Sequence, residues 1–415
     1  MKVIGIIAEY NPFHNGHKYQ IERAKELSGA ACVVVLMSGH YVQRGEPAIF
    51  TPQLRTEMCL KNGADLVLEI PSYFSSASAR DFAGFGVSLL SRLGVDYISF
   101  GLEENNLDLL QFLAGVLNRE PAVYQEALQN ALSQGLSFPA ARQKALLTLC
   151  RDLAPEKTEK ISVLLRGPNT VLALEYLRQI QFLSSPLKPV PVLRRGAGYH
   201  DSALHPQGFS SATALRRALW EKDYASLVSS LPENTLDLAR KALPLFPDHL
   251  TGEVVRSLYE KIHKEEDLTK YLDISTELAR RMYAKTKEAQ DFFHLVQLFK
   301  TKQYTYTRIS RALLHLFLNM TEENMAVFRS HHFQSCYAKI LGFKRTSSLL
   351  LRELKKRSEI PIITKPAKAG ALLGNTPALK LLKEEVYGGV LYRSLLYSLY
   401  KIRLPHPMAL TPVMD

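Results

Sequence analysis

The chain has 415 residues, 46% of them hydrophobic and 22% charged, which excludes a fibre or a wholly disordered chain and leaves room for two or three domains. Its four cysteines, Cys32, Cys59, Cys150 and Cys336, are too far apart for a CxxC pair or a disulfide framework, and suit a reducing cytoplasm. The net charge is +12, and residues 329–403, with 15 Lys and Arg against 4 Asp and Glu, carry +11 of it.

The opening run, Lys2–Ala8, predicts a buried strand; it is too short for a leader segment and ends in Glu9. Ala31–Met37, Asp65–Ile70 and Val95–Phe100 predict three more strands, with continuous apolar runs that imply burial on both faces. Helices are expected between them, over Asn15–Leu27, Pro52–Asn62 and Arg80–Leu93. This alternation argues for an α/β fold, an open parallel sheet with helices on both faces. Residues 104–165 are helical in pattern and read as an insertion. A helix over Asn169–Ile180, a fifth strand over Lys188–Arg194 and a helix from Ser211 to Lys222 return to the first rhythm. Beyond Glu221 almost only helical periodicity is expected up to Ile360, with a short strand over Ile360–Thr364. The division that follows is 1–220, an α/β catalytic domain, and 221–415, a mainly α-helical basic region. No stretch approaches the 18 or so apolar residues of a membrane span, so no membrane partner is expected. The local excess of +11 disfavours compact folding unless a polyanion is a partner, and nucleic acid is the expected one.

The strongest local signal is EYNPFHNGHKYQ, residues 9–20, directly after the first strand and opening the first helix. His14 and His17 can share one side of that helix's N-terminus, and Gly16 clears space between them. Unpaired amides and two imidazole donors there suit phosphate oxygens and displacement at an α-phosphate. Neither a cysteine nor an obvious carboxylate stands near enough in sequence to complete a metal site, and none is expected. A second stretch, FSSATALRR, offers Ser211 and Thr213 as helix caps, with Arg216 one turn on. SGHYVQRGEP at 38–47 carries polar groups that no strand end requires; Ser38, His40, Gln43 and Arg44 are candidates for substrate or phosphate contact.

HxGH after a buried first strand resembles the Rossmann-like nucleotidylyltransferases that share their fold with class I aminoacyl-tRNA synthetases; the KMSKS signature of the latter is absent. The likeness extends further. IIAEYNPFHNGHKYQIERAKE (6–26), MSGHYVQRGEPAIF (37–50), ISFGLEEN (98–105), GPNTVLALEYL (167–177), VLRRGAGYHD (192–201) and YAKILGFKRTSSLLLRELKKRSEIPIITK (337–365) resemble the bacterial tRNA(Met) cytidine acetate ligase family.

That resemblance implies an enzyme forming acetyl-adenylate from ATP and acetate. It would then acetylate N4 of the wobble cytidine of elongator tRNA(Met), with magnesium accompanying the ATP. It implies an ATP site of Ile7, Ala8, Glu9, Tyr10, Asn11, Pro12, Phe13, His14, Asn15, Gly16, His17, Lys18, Tyr19 and Gln20, with Gly101, Asn169 and Arg194 or Arg195. His14 and His17 would be catalytic. Asp201 is a candidate for magnesium or the nucleoside, and Lys344, Arg345, Arg352, Lys355, Lys356 and Arg357 for the tRNA. Two other readings stand beside it. A small-molecule nucleotidylyltransferase would need no polyanion surface, and a non-catalytic RNA-binding protein would not need an intact HxGH.

Overall fold

The structure is a computed structural model, and it describes residues 1–153, 155–194, 210–333 and 336–415. The first half follows the predicted rhythm. Strand β1 (Val3–Ala8) leads into α1 (Asn15–Ser28), β2 (Cys32–Ser38), α2 (Pro52–Lys61), β3 (Leu66–Ile70), α3 (Ala79–Arg92) and β4 (Tyr97–Leu102). Local chemistry sets these boundaries. Thr51 Oγ1 accepts the Leu54 amide with Pro52 in the first turn of α2, and Gly29 closes α1 in the left-handed region at φ 62°. Four helices between Leu107 and Leu164 form the predicted insertion. Then come α4 (Pro168–Phe182), β5 (Lys188–Leu193) and α5 (Ala212–Trp220).

The later half is mainly helical, as expected, but it returns to the sheet. Of its helices, α6 (Tyr306–Phe317), α7 (Ser348–Arg357) and α8 (Pro377–Tyr400) matter below. Strand β6 (Ala338–Phe343) falls where only helical periodicity was expected. It pairs antiparallel with β3, and the terminal β7 (Val413–Met414) pairs with it in turn. The Ile360–Thr364 expectation is met by a two-residue strand, Ile362–Ile363, paired with β6. The spatial order is β7-β6-β3-β2-β1-β4-β5. A charge hides β6 in the sequence: Lys339 interrupts the apolar run. In the fold that charge is buried, with Nζ 2.6 Å from Glu69 Oε2 on the adjacent strand.

Apolar side chains separate to the two faces of the sheet. Ile4, Ile6, Val33 and Val35 pack on one side with Ile21 of α1 and Leu215 of α5. Ile7, Leu36 and Phe100 pack on the other with Phe82 of α3 and Tyr176 of α4. The chain order reverses at β1, which lies between β2 and β4. A crevice at the carboxyl ends of the strands is expected at such a reversal. Among the described residues no helix is long and apolar enough to cross a membrane.

Candidate active site

A cleft of about 490 Å³ opens over the carboxyl end of β1. That is room for a nucleotide. Its floor is the β1–α1 turn. Tyr10 takes the left-handed conformation at φ 48°, and the Asn11–Pro12 peptide bond is cis. His14 caps α1, its Nδ1 accepting the Gly16 amide at 3.1 Å. An Nδ1 that accepts leaves the proton on Nε2, so His14 offers an N–H donor from its other edge. A Cβ at Gly16 would sit 2.9 Å from His14 Cε1, so glycine is what lets the ring lie there. The His17 ring stacks on His14 with centroids 3.6 Å apart.

Both imidazoles are neutral. Burial, then Arg194 and Arg216, pushes the His14 pKa down to about 3. Burial, then His14 and Arg194, holds His17 well below the usual histidine range. The sign for stability follows. As pH falls, the unfolded chain takes up the proton first, near pH 6.5. His14's contribution is therefore complete above about pH 6.5 and drains away toward pH 3. The urea midpoint is expected to drop between pH 7 and pH 5, and to drop less in His14→Asn; equal slopes would remove His14 from the linkage.

Across the cleft, Glu103 caps the start of α4. It accepts the amides of Asn169 at 3.2 Å and Thr170 at 3.0 Å, and Asn169 Nδ2 at 2.7 Å. Asn169 Oδ1 in turn accepts Arg194 Nη1 at 3.3 Å. Ser211 Oγ caps α5 by accepting the Ala214 amide at 3.1 Å. One turn on, Arg216 donates to the Asn11 carbonyl at 2.9 Å and to Thr213 Oγ1 at 3.3 Å. The N-termini of α1 and α5, the two neutral histidines, Arg194 and Arg216 thus face one space. That combination suits a polyphosphate and the charge that develops when one leaves.

The HIGH Nucleotidyl Transferase family profile matches residues 1–401. A tRNA(Met) cytidine acetate ligase of Halothermothrix orenii is 34% identical over 98% of this chain and 96% of its own. The chain belongs to the tRNA(Met) cytidine acetate ligase family. A second family member, from Clostridium novyi, is 37% identical over 89% of this chain and 91% of its own. Two crystal structures of Thermotoga maritima TmcAL superpose at 28% identity, covering 100% of this chain and 99% of theirs. The apo form gives a TM-score of 0.93 and the form bound with alpha-thio ATP gives 0.91.

Within this acetate ligase family fold, most of the expected site residues meet. Ile7, Ala8, Glu9, Tyr10, Asn11, His14, Gly16, His17, Tyr19, Gln20, Gln43, Arg44, Gly101, Asn169, Arg194, Ser211, Thr213 and Arg216 all line the cleft. Others of the set stand behind it or away from it. Pro12 and Phe13 are buried, Asn15 Nδ2 donates to the Ser229 carbonyl, and Lys18 is exposed. Arg195 and Asp201 lie outside the described residues.

Ser38 and His40 do not line the cleft; they turn into the interior. His40 accepts Arg393 Nη1 at 3.1 Å through Nε2, which leaves Nδ1–H to donate to Glu385 Oε1 at 3.1 Å. Among the described residues, His40, Glu69 and Glu385 are the one trio whose ligand atoms lie close enough to hold a metal. Lys339 already supplies a cation there.

The basic set around α7 lies at the amino ends of the strands, the opposite edge of the sheet. The Lys344 amide donates to the Asp65 carbonyl, just before β3. Arg345, Arg352, Lys355 and Lys356 are exposed there. Arg357 is committed to the fold, donating to the Met1 carbonyl at 2.8 Å and to Asp96 Oδ2 at 3.3 Å.

Sequence reasoning missed Thr307 and Arg311, which α6 brings to the cleft from the far half of the chain, and Ala79, Phe82, Leu172 and Tyr176. Arg311 is held by a bidentate contact to Asp273 at 2.8 and 3.3 Å, a pairing with no local sequence signal. Ser78, whose Oγ accepts the Asp81 amide at 3.3 Å, was a readable cap marking where α3 meets the cleft.

Proposed function

We propose that the chain makes acetyl-adenylate from ATP and acetate, releasing pyrophosphate. It then passes the acetyl group to N4 of the wobble cytidine of elongator tRNA(Met). One observation carries this reading: the neutral histidine donors, Arg194 and Arg216 converge on one cleft, in a chain that aligns from end to end with ligases of that name. An acetate oxygen attacks the α-phosphorus, and charge builds on the departing pyrophosphate. Donors fixed before the reaction stabilise that charge without reorganising. The cytosine must leave its stack to reach the adenylate, which single-stranded loop geometry makes inexpensive.

Magnesium would accompany the triphosphate and neutralise part of its charge. Glu9 is the only carboxylate among the described lining residues. With so few carboxylates in the lining, the ion's ligands would be phosphate oxygens and water. Lys344, Arg345, Arg352, Lys355 and Lys356 form a second, phosphate-binding contact at the amino edge. An RNA touching both edges spans roughly 20 Å, a strand of six residues at about 3.3 Å each.

The test is acetate-dependent transfer of label from pyrophosphate into ATP, with and without tRNA. Exchange that requires acetate is the expected result. Adenylyl transfer to a phosphorylated small molecule, with no acetate-dependent exchange, would replace this reading with a small-molecule nucleotidylyltransferase. Reversing Arg352, Lys355 and Lys356 together to glutamate is expected to weaken tRNA binding at least tenfold and to flatten its salt dependence. Unchanged binding would remove α7 from the interface.

A further inference from the structure

The cleft wraps over the sheet edge and has two chemically different halves. On the α1 and α5 side stand the histidines and Arg216, and Arg194 reaches between the halves, donating to Asn169 at the start of α4. On the other side, Ile7, Phe100, Phe82 and Tyr176 belong to the opposite core face and form an apolar wall. Three polar groups belong to this half of the cleft, and two of them have no partner. Glu9, one residue past β1, accepts the Gln43 amide through Oε1 at 2.9 Å. Gln43 Nε2 is buried and has no hydrogen-bond partner. The hydroxyl of Tyr176, a residue only 2% exposed, is also buried and unpartnered. Buried polar groups are normally satisfied, and leaving one without a partner is unfavourable. Orphans that line a cleft are explained by a ligand with matching donors and acceptors.

We propose that this apolar half is the acceptor chamber and that Glu9 is the general base of acyl transfer. The inference rests on the acetate-ligase reading above. The acceptor it fits is a flat heterocycle bearing an exocyclic amine next to a ring acceptor. Gln43 Nε2 and the Tyr176 hydroxyl bind the ring's nitrogen and carbonyl oxygen. The amine nitrogen attacks the acetyl carbonyl carbon, and the carbon–nitrogen bond forms. The bond from that carbon to the phosphate oxygen breaks, and its electron pair leaves with AMP. The amine proton goes to the Glu9 carboxylate and from there to water. An aromatic exocyclic amine is a poor nucleophile until that proton is taken, so a base in place contributes about 10²–10⁴-fold. Glu9 and His14 belong to the one segment between β1 and α1, so the base and the histidine half are carried together.

The test compares the two half-reactions in Glu9→Gln. Glutamine keeps a carbonyl to accept the Gln43 amide, so the turn is retained, but it cannot take a proton. Adenylate formation is read as acetate-dependent pyrophosphate exchange and as acetyl-hydroxamate trapped by hydroxylamine. Transfer is read as single-turnover acetylation of tRNA. The expected result is a transfer rate at least tenfold more depressed than exchange. Gln43→Ala is expected to raise the KM for tRNA more than it lowers hydroxamate formation. Equal losses in both half-reactions would place Glu9 on the adenylate side and overturn the proposal, as would full transfer activity. Absence of acetate-dependent exchange in the unaltered enzyme would instead sink the underlying reading.

Discussion

Replacing His17 with alanine is expected to lower acetate-dependent pyrophosphate exchange by about 10²–10³-fold, the usual cost of removing one fixed donor from a developing anion. The ring is held from three sides, by Tyr10 at 4.5 Å, His14 at 3.6 Å and Phe13 at 5.6 Å between centroids. Its Nδ1 is buried with no protein partner. It is therefore oriented in advance and neutral, and it can serve as a donor without losing a proton at physiological pH. Binding of tRNA, measured by filter retention, should change less than about twofold, because a neutral ring contributes little to polyanion affinity. Exchange that survives the substitution would take the histidine out of the chemistry.

The second large effect is structural. Arg55, on α2, is fully buried, and among the described residues no carboxylate forms an ion pair with it. Its guanidinium donates to three carbonyls: Phe50 at 3.1 Å, Glu9 at 2.7 Å, and Gly39. These belong to the loop after β1, the loop after β2 and the entry to α2. One side chain thus ties together the segments that carry Glu9, Gln43 and Arg44. Arg55→Met fills similar volume but leaves those carbonyls without donors. At about 1–3 kcal/mol for each unmet buried acceptor, the expected loss is several kcal/mol in urea unfolding, with a raised KM for ATP. A loss below about 1 kcal/mol would mean that the loops hold themselves.

Much of this was legible in sequence because the signals were local. Five strands and the helices expected over Asn15–Leu27, Pro52–Asn62, Arg80–Leu93 and Asn169–Ile180 were bounded to within two residues, since buried parallel strands read as apolar runs and α2 begins at a Thr-Pro cap. The histidine loop was legible as part of the cleft because its residues are adjacent in the chain. What escaped depends on distance. Strand β6 looked helical because Lys339 breaks its apolar run, and only Glu69, 270 positions away, makes that lysine acceptable inside. His40 read as a cleft residue because nothing nearby shows that Glu385 and Arg393 wait for it in the interior. Arg311 needed Asp273 and the folding back of α6. In Arg357, the sequence showed a charge, and the structure shows a brace across Met1 and Asp96.

The late arrival of β6 bears on how the protein is made. A ribosome releases β1 through β5 long before residues 338–343 emerge, and until then β3 is an open edge. Glu69 waits at that edge without its ammonium partner. Such an edge pairs readily with a neighbouring nascent chain unless something shields it. The contact that closes it spans most of the polypeptide and forms slowly, after synthesis is nearly complete. A message cut short before that point leaves the histidine loop on an unfinished sheet.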